Sequence, residues 1–294
     1  MPAAFAPMLA DIPLYAERYE WSPKWLSNSV LIGIIVMALI LWWTRSATKN
    51  IALVPLKPGG QNMAEGIIEM LYSTLVGIVG PHMIAKVFPL LATFFIFILA
   101  SNWFSLLPGV GTIGFTEHRG AFLSAHHLDV PLLRAGNADL NMTLGMALLF
   151  MLFWLYWTFS ELGFVGFIKH TFGVKGGLKG PLALLLAPLF VFVGVIEIIS
   201  IAFRPVSLSL RLFGNVYAGE TLLHTMSDLG NVLGLPKAVA FLMSILIPIP
   251  FYFLELLVGI LQALVFTLLC AVYIQLSTTH EEGHVEGEGE THAH

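Results

Sequence analysis

Apolar residues run along this chain in blocks far longer than a soluble core helix needs. From Leu26 to Trp43 the sequence is almost wholly apolar, and it stops at Thr44-Arg45-Ser46-Ala47-Thr48-Lys49. Further blocks run from about Lys86 to Leu107, Leu140 to Ile168, Pro181 to Met226 and Lys237 to Ser277. A helix needs about 20 apolar residues to cross a hydrocarbon layer about 30 Å thick, so each block predicts a membrane-crossing element. The segment from Gln61 to Val79 is different: Glu65 and Glu69 lie i,i+4, while Ile68, Leu71, Tyr72 and Leu75 are apolar. That pattern predicts an amphipathic helix lying along the membrane surface.

The last two blocks are each roughly forty residues long, which as helix is about 60 Å, twice the hydrocarbon thickness. Neither contains a polar loop at which it could fold back. The pattern therefore predicts two long, strongly tilted helices forming a membrane-embedded hairpin, joined near Asp228-Leu229-Gly230-Asn231 and Pro236. A two-span hairpin inside either block is the alternative. Pro205, Pro248 and Pro250 are expected to kink them. The fold class is an all-α integral membrane protein with five transmembrane elements plus an interfacial amphipathic helix.

Composition agrees. Of the 294 residues 57% are hydrophobic and only 11% charged, against about 25% charged in soluble domains. Mean hydropathy is +0.84. The net charge of −4 excludes a strongly basic surface, so no nucleic-acid partner is expected. The single cysteine, Cys270, falls in an apolar run and gives neither a disulfide framework nor a metal cluster. The first residues, with Glu17, Arg18, Glu20 and Lys24, lack the pattern of a cleaved signal peptide. Three regions result: an N-terminal segment 1–28, a membrane domain 29–277, and an acidic, His-rich tail 278–294 expected to be disordered. Arg45, Lys49 and Lys57 follow the first span and Lys169, Lys175 and Lys179 the third, which places those loops in the cytoplasm. The N-terminus then lies outside and the tail inside.

Chemistry is concentrated in the last two blocks. Arg211 lies at membrane depth, where a permanent cation costs from about 3 to above 10 kcal/mol. Arginine keeps its proton at any physiological pH and cannot escape that cost by neutralising. Glu197, Arg204 and Arg211 are seven apart and fall near one helical stripe, while Ser207, Arg211 and Asn215 are four apart on the same side. Glu220 lies nine residues past Arg211, nearly half a turn round. Glu255 and Gln262 are seven apart on the final helix and, if the two helices pack antiparallel, approach the Arg211–Glu220 region. Buried carboxylates such as Glu220 and Glu255 suit groups that take up and release a proton. His224 follows Glu220 by one turn and extends a candidate relay. Bland readings stand beside these: Glu197 and Arg204 as a structural pair, Asn215 and Gln262 as interhelical hydrogen-bond glue, His224 as an interfacial side chain. His118, His126 and His127 lack ligand spacing and read as solvated loop residues. No Walker loop or glycine fingerprint is present, so neither a nucleotide site, an enzymatic activity, a cofactor nor a metal centre is expected.

The run Pro205-Val206-Ser207-Leu208-Ser209-Leu210-Arg211-Leu212-Phe213-Gly214-Asn215-Val216-Tyr217-Ala218-Gly219-Glu220 closely resembles the signature of subunit a of F-type ATP synthases. Glu255-Leu256-Leu257-Val258-Gly259-Ile260-Leu261-Gln262-Ala263-Leu264-Val265-Phe266 looks like the matching segment of that family's last helix, and Asn102 also falls on a family position. The resemblance covers about Ile51 to Ser277. It implies a stator subunit that carries protons, or sodium ions, through two offset half-channels and couples their flow to rotation. It implies as partners a ring of c subunits, b-type peripheral stalk subunits and the rest of the F1F0 complex, all in the lipid bilayer of a bacterial inner membrane. By that resemblance Arg211 faces the ring's ion-carrying carboxylate. Asn215, Glu220, Glu255 and Gln262 would line the outer half-channel, and Ser207 and Glu197 would border the cytoplasmic one. Both acid positions are glutamates here, where some relatives place a histidine. A transporter or channel working without a rotor, and a purely structural scaffold, are the competing classes; the halves of the chain show no internal repeat of the kind such transporters carry.

Overall fold

A computed structural model describes residues 27–49, 60–107, 110, 114–115, 130–131, 136–172 and 181–278. Helix α1 spans Asn28–Thr48, α2 Gly60–Val79, α3 Pro81–Ser105, α4 Leu140–Phe172, α5 Pro181–Val232, α6 Lys237–Leu246 and α7 Pro248–Thr278. A 3-10 turn, Gly136–Ala138, precedes α4, and a two-residue antiparallel pairing joins β1 Gly114–Phe115 to β2 Val130–Pro131. The architecture is all-α. Among the described residues, five stretches are long and apolar enough to cross a membrane: α1, α3, α4, α5 and the α6–α7 stretch. The N-terminal segment, the loop histidines and the acidic tail lie outside the described residues.

α3 is the centre of the bundle. Met83, Ile84, Val87, Leu91, Phe94, Phe95 and Ile98 recur at helical spacing and are buried. Its ring contacts reach two neighbours: Phe94 meets Phe266 of α7 edge-on at 5.7 Å, and Phe88 meets Tyr72 of α2 at 5.2 Å. Lys86 and Glu161 pair at 2.6 Å and tie α3 to α4. α4 in turn packs along α5 and touches α7, where the indole N–H of Trp154 donates to the carbonyl of Tyr273 at 2.9 Å. Lipid-like surroundings give helices little hydrophobic reason to associate, so these packed rings and hydrogen bonds hold the bundle together.

α5 runs unbroken for 52 residues, about 78 Å of helix, and must lie steeply tilted if its apolar length stays in hydrocarbon. Pro188 and Pro205 both sit inside it. The inner face around Arg211 is made by Pro205, Leu208, Ser209, Leu212, Val216 and Gly219, all buried. Only 11% of its most apolar stretch is buried within the chain, against 50% for α3. The outer flank, including Phe203, Val206 and Leu210, is uncovered.

Several details add to the sequence expectation. Pro205 does not interrupt α5. The final block instead divides into α6 and α7 at Ile247, although Ile247 keeps helical dihedrals and its N–H bonds Met243. Pro248 then opens α7 at a position where a missing N–H costs nothing. The kink not foreseen lies in α4, at Gly163 with φ 69° and ψ 166°, a conformation open to glycine and strained for other residues. The two-residue β pairing was also not foreseen.

Phe266 is buried at the crossing of α3 and α7. Phe266→Ala is expected to lower stability by about 2 kcal/mol, the cavity part of a core truncation in surroundings that remove much of the transfer part. Thermal unfolding of the detergent-solubilised protein checks it, with Phe266→Leu expected to lose less.

Candidate functional site

The polar side chains of α5 divide between its two flanks. On the outer flank Arg211 and Ser207 are exposed, with Val206 and Leu210 as apolar neighbours. No hydrogen bond or ion pair holds Arg211 among the described residues. One turn on, Asn215 reaches sideways to α7 and donates from Nδ2 to Oε1 of Gln262 at 2.6 Å. Gln262 is buried, so this amide pair is the polar seam nearest the cation.

The next seam lies one further turn along. Gly219 is buried and faces Glu255 of α7, and a Cβ built on it would collide with the Glu255 carboxylate. Only a residue without a side chain lets that carboxylate lie against the α5 backbone. Glu220 and Glu255 are both half-buried. Antiparallel packing of α5 on α7 thus brings Gln262 to Asn215 and Glu255 to Gly219, in the order that the seven-residue spacing of Glu255 and Gln262 requires.

A buried amide line extends the site into the bundle. Nδ2 of Asn102, at the end of α3, donates to the Gly259 carbonyl of α7 at 3.1 Å. Oδ1 of Asn102 accepts from Nδ2 of Asn137 at 2.7 Å. Asn137 belongs to the 3-10 turn, whose Ala138 packs against Val216 of α5 and whose Gly136 lies against the Ser29 carbonyl of α1. Asp139 caps α4 by accepting from the Asn141 N–H at 3.0 Å. Along this line three buried polar atoms, Ser101 Oγ, Asn137 Oδ1 and Gln262 Nε2, have no hydrogen-bond partner among the described residues. An unmade hydrogen bond at a buried polar atom costs about 1–3 kcal/mol.

Glu197 and Arg204 stand apart from this group, towards the start of α5. Arg204 lies over the rings of Tyr273 and Trp154 at 4.6 and 5.3 Å, and Glu197 adds an attractive charge. His224 is exposed and faces Asp228 at 3.9 Å on its own helix, so its contact is local to α5. Sequence reasoning did not single out Asn137, Gly219, Trp154 or Tyr273. Asn137 and Gly219 carry no periodic signal; the aromatic pair is legible only once α4, α5 and α7 are brought together. Among the described residues no cluster of metal-ligating side chains occurs.

The sequence matches the ATP synthase A chain family over residues 27–275. It is 32% identical over 256 residues to ATP synthase subunit a of Protochlamydia amoebophila, covering 87% of this chain and 82% of the relative. It is 32% identical over 257 residues to ATP synthase subunit a of Gluconobacter oxydans (86% and 89% covered) and 31% identical over 276 residues to that of Trichlorobacter lovleyi (94% and 91% covered). With five membrane-crossing stretches, a cation on the open flank of α5 and a match across nearly the whole described chain, this protein belongs to the ATP synthase A chain family.

Proposed function

We propose that this chain is the stator subunit of the membrane sector of a rotary ATP synthase, in which it carries protons, or sodium ions on the same route, through two offset half-channels. The observation that carries this reading is Arg211, a permanent cation on the uncovered flank of a long membrane helix, with exposed Val206 and Leu210 as neighbours. A charge in that position needs an anionic partner to offset its cost, and a ring of c subunits bearing a mid-membrane carboxylate supplies one.

The chemistry follows from the charge. As a ring carboxylate meets Arg211, the guanidinium field stabilises its ionised form and drives off its proton. The same field repels a cation crossing directly between the half-channels. The Asn215–Gln262 seam, the Glu255–Gly219 contact with the adjoining Glu220, and the Asn137–Asn102–Gly259 line form a polar path from one end of the bundle towards Arg211. Buried polar atoms along such a path are ordinarily satisfied by bound water, which moves protons. With the N-terminus outside, α3 ends and α4 begins at the outer surface, so this path is the outer half-channel. Ser207 and Glu197, on the opposite side of Arg211 along α5, border the cytoplasmic one. Each charge that crosses the membrane releases about 2.3 kcal/mol per 100 mV, and the offset between the channels turns that release into rotation. The setting is a bacterial inner membrane, the further partners are b-type stalk subunits and the rest of the F1F0 complex, and the nucleotide chemistry takes place on other subunits. His224, paired locally with Asp228, belongs at the mouth of the outer path.

Arg211→Ala is expected to abolish ATP-driven ion pumping in reconstituted vesicles while the complex still assembles; coupled pumping at the normal rate contradicts the reading. Glu220→Gln is expected to slow ion entry from the outer side about tenfold or more, in the range typical of a lost proton-transfer group. Gly219→Ala pushes the Glu255 carboxylate off the α5 backbone and is expected to reduce the same entry rate without altering membrane insertion. An unchanged rate removes the affected residue from the path.

A further inference from the structure

Arg204 is a second permanent cation on α5, one that the half-channel reading leaves without a task. It is half-buried, and Nη1 is shut off from solvent with no hydrogen-bond partner among the described residues. Its guanidinium instead lies between two aromatic faces, Tyr273 of α7 at 4.6 Å and Trp154 of α4 at 5.3 Å. These two residues are themselves joined, since the Trp154 indole N–H donates to the Tyr273 carbonyl at 2.9 Å. Three helices meet at this one point. Phe150, Leu208, Cys270 and Ile274, each within about one helical turn of a member of the node, are buried.

Arg204 and Arg211 are seven residues apart, which on a helix with 100° per residue leaves them about 20° apart in azimuth. A rotation of α5 about its axis that moved one would move the other by the same angle. Among the described residues none packs over the outer flank at Arg211 to resist such a rotation. Two turns away, the clamp at Arg204 does resist it: a planar cation held by two faces cannot turn without leaving both.

We propose that Arg204 is a positioning residue for Arg211, its guanidinium held between Trp154 and Tyr273 so that the axial rotation of α5, and with it the angle at which Arg211 meets its partner, is fixed. Lysine substitutes poorly, because an ammonium keeps a cation–π attraction but has no plane to stack on two rings and so does not fix an angle. This inference rests on the reading of Arg211 as the residue that meets the ring carboxylate.

The test compares variants of the whole complex in vesicles, measuring ATP-driven pumping and passive ion leak side by side. Arg204→Gln and Arg204→Lys should each lower pumping about fivefold to tenfold, as loss of a desolvated cation–π contact implies. The ratio of leak to pumping should rise, because a misaligned Arg211 no longer blocks direct passage. Tyr273→Leu should reproduce both effects, Tyr273→Phe should retain most of the pumping, and Arg204→Gln with Tyr273→Leu should be no worse than either alone. Normal pumping and leak in Arg204→Lys overturn the proposal, as do multiplicative losses in the double variant. If Arg204→Gln fails to assemble, Arg204→Lys and the Tyr273 pair decide the matter. Arg211→Ala run in parallel separates the two claims: if it pumps normally the underlying reading fails, whereas if it alone is inactive only the clamp is refuted.

Discussion

A guanidinium that cannot give up its charge, carried on the open flank of a membrane helix, is the constraint on which this structure turns. Arg211 is neither folded into the bundle nor neutralised by a carboxylate of the described chain. The inner face of α5 is given over to packing, through Leu208, Leu212 and Val216, and the cation stays outside that contact. The length of α5 serves the same end. A helix of 52 residues, lying obliquely as the proposed function requires, would present a long flank to a ring of c subunits, where a perpendicular span would meet it at a single point.

Polar groups then fall on either side of Arg211 and not at its own level. Towards the end of α5 lie the amides and carboxylates shared with α7, α3 and the 3-10 turn. Towards its start lie Glu197 and the Arg204 node. Between them the helix carries Val206, Leu208, Leu210 and Leu212, with Ser207 and Ser209 as its polar side chains beside Arg211. A path that is polar at both ends and interrupted by a fixed cation has no through-route for ions unless something carries them past the interruption. The separation of the two ends is as much a part of the arrangement as the groups within them.

Much of this was legible in the sequence because membrane insertion writes itself into hydropathy. Five apolar blocks appear as five crossing stretches, and the absence of a polar loop in the long blocks is matched by a continuous α5. The spacing of Glu255 and Gln262 correctly indicated one face of one helix. What escaped was set by close approach, which periodicity does not encode. Gly219 reads as an ordinary small residue until Glu255 is seen against its Cα. Asn137 looks like a loop residue until its turn is found wedged between α1, α3 and α5. Pro205 rides within α5, whereas the chain divides at Ile247, just ahead of Pro248. A first-turn proline needs no hydrogen bond, so the boundary forms where the backbone loses least. Spacing left Glu197 open as a structural partner of Arg204, and its charge does act there, but the rings that hold the guanidinium come from two other helices.

The most direct measurement is a density map of the assembled membrane sector that resolves side chains at the open flank of α5. The account places the Arg211 guanidinium within about 5 Å of a ring carboxylate, the range in which opposite charges act on one another's ionisation. A map in which that guanidinium faces lipid or bulk water, with the ring carboxylates elsewhere, contradicts it.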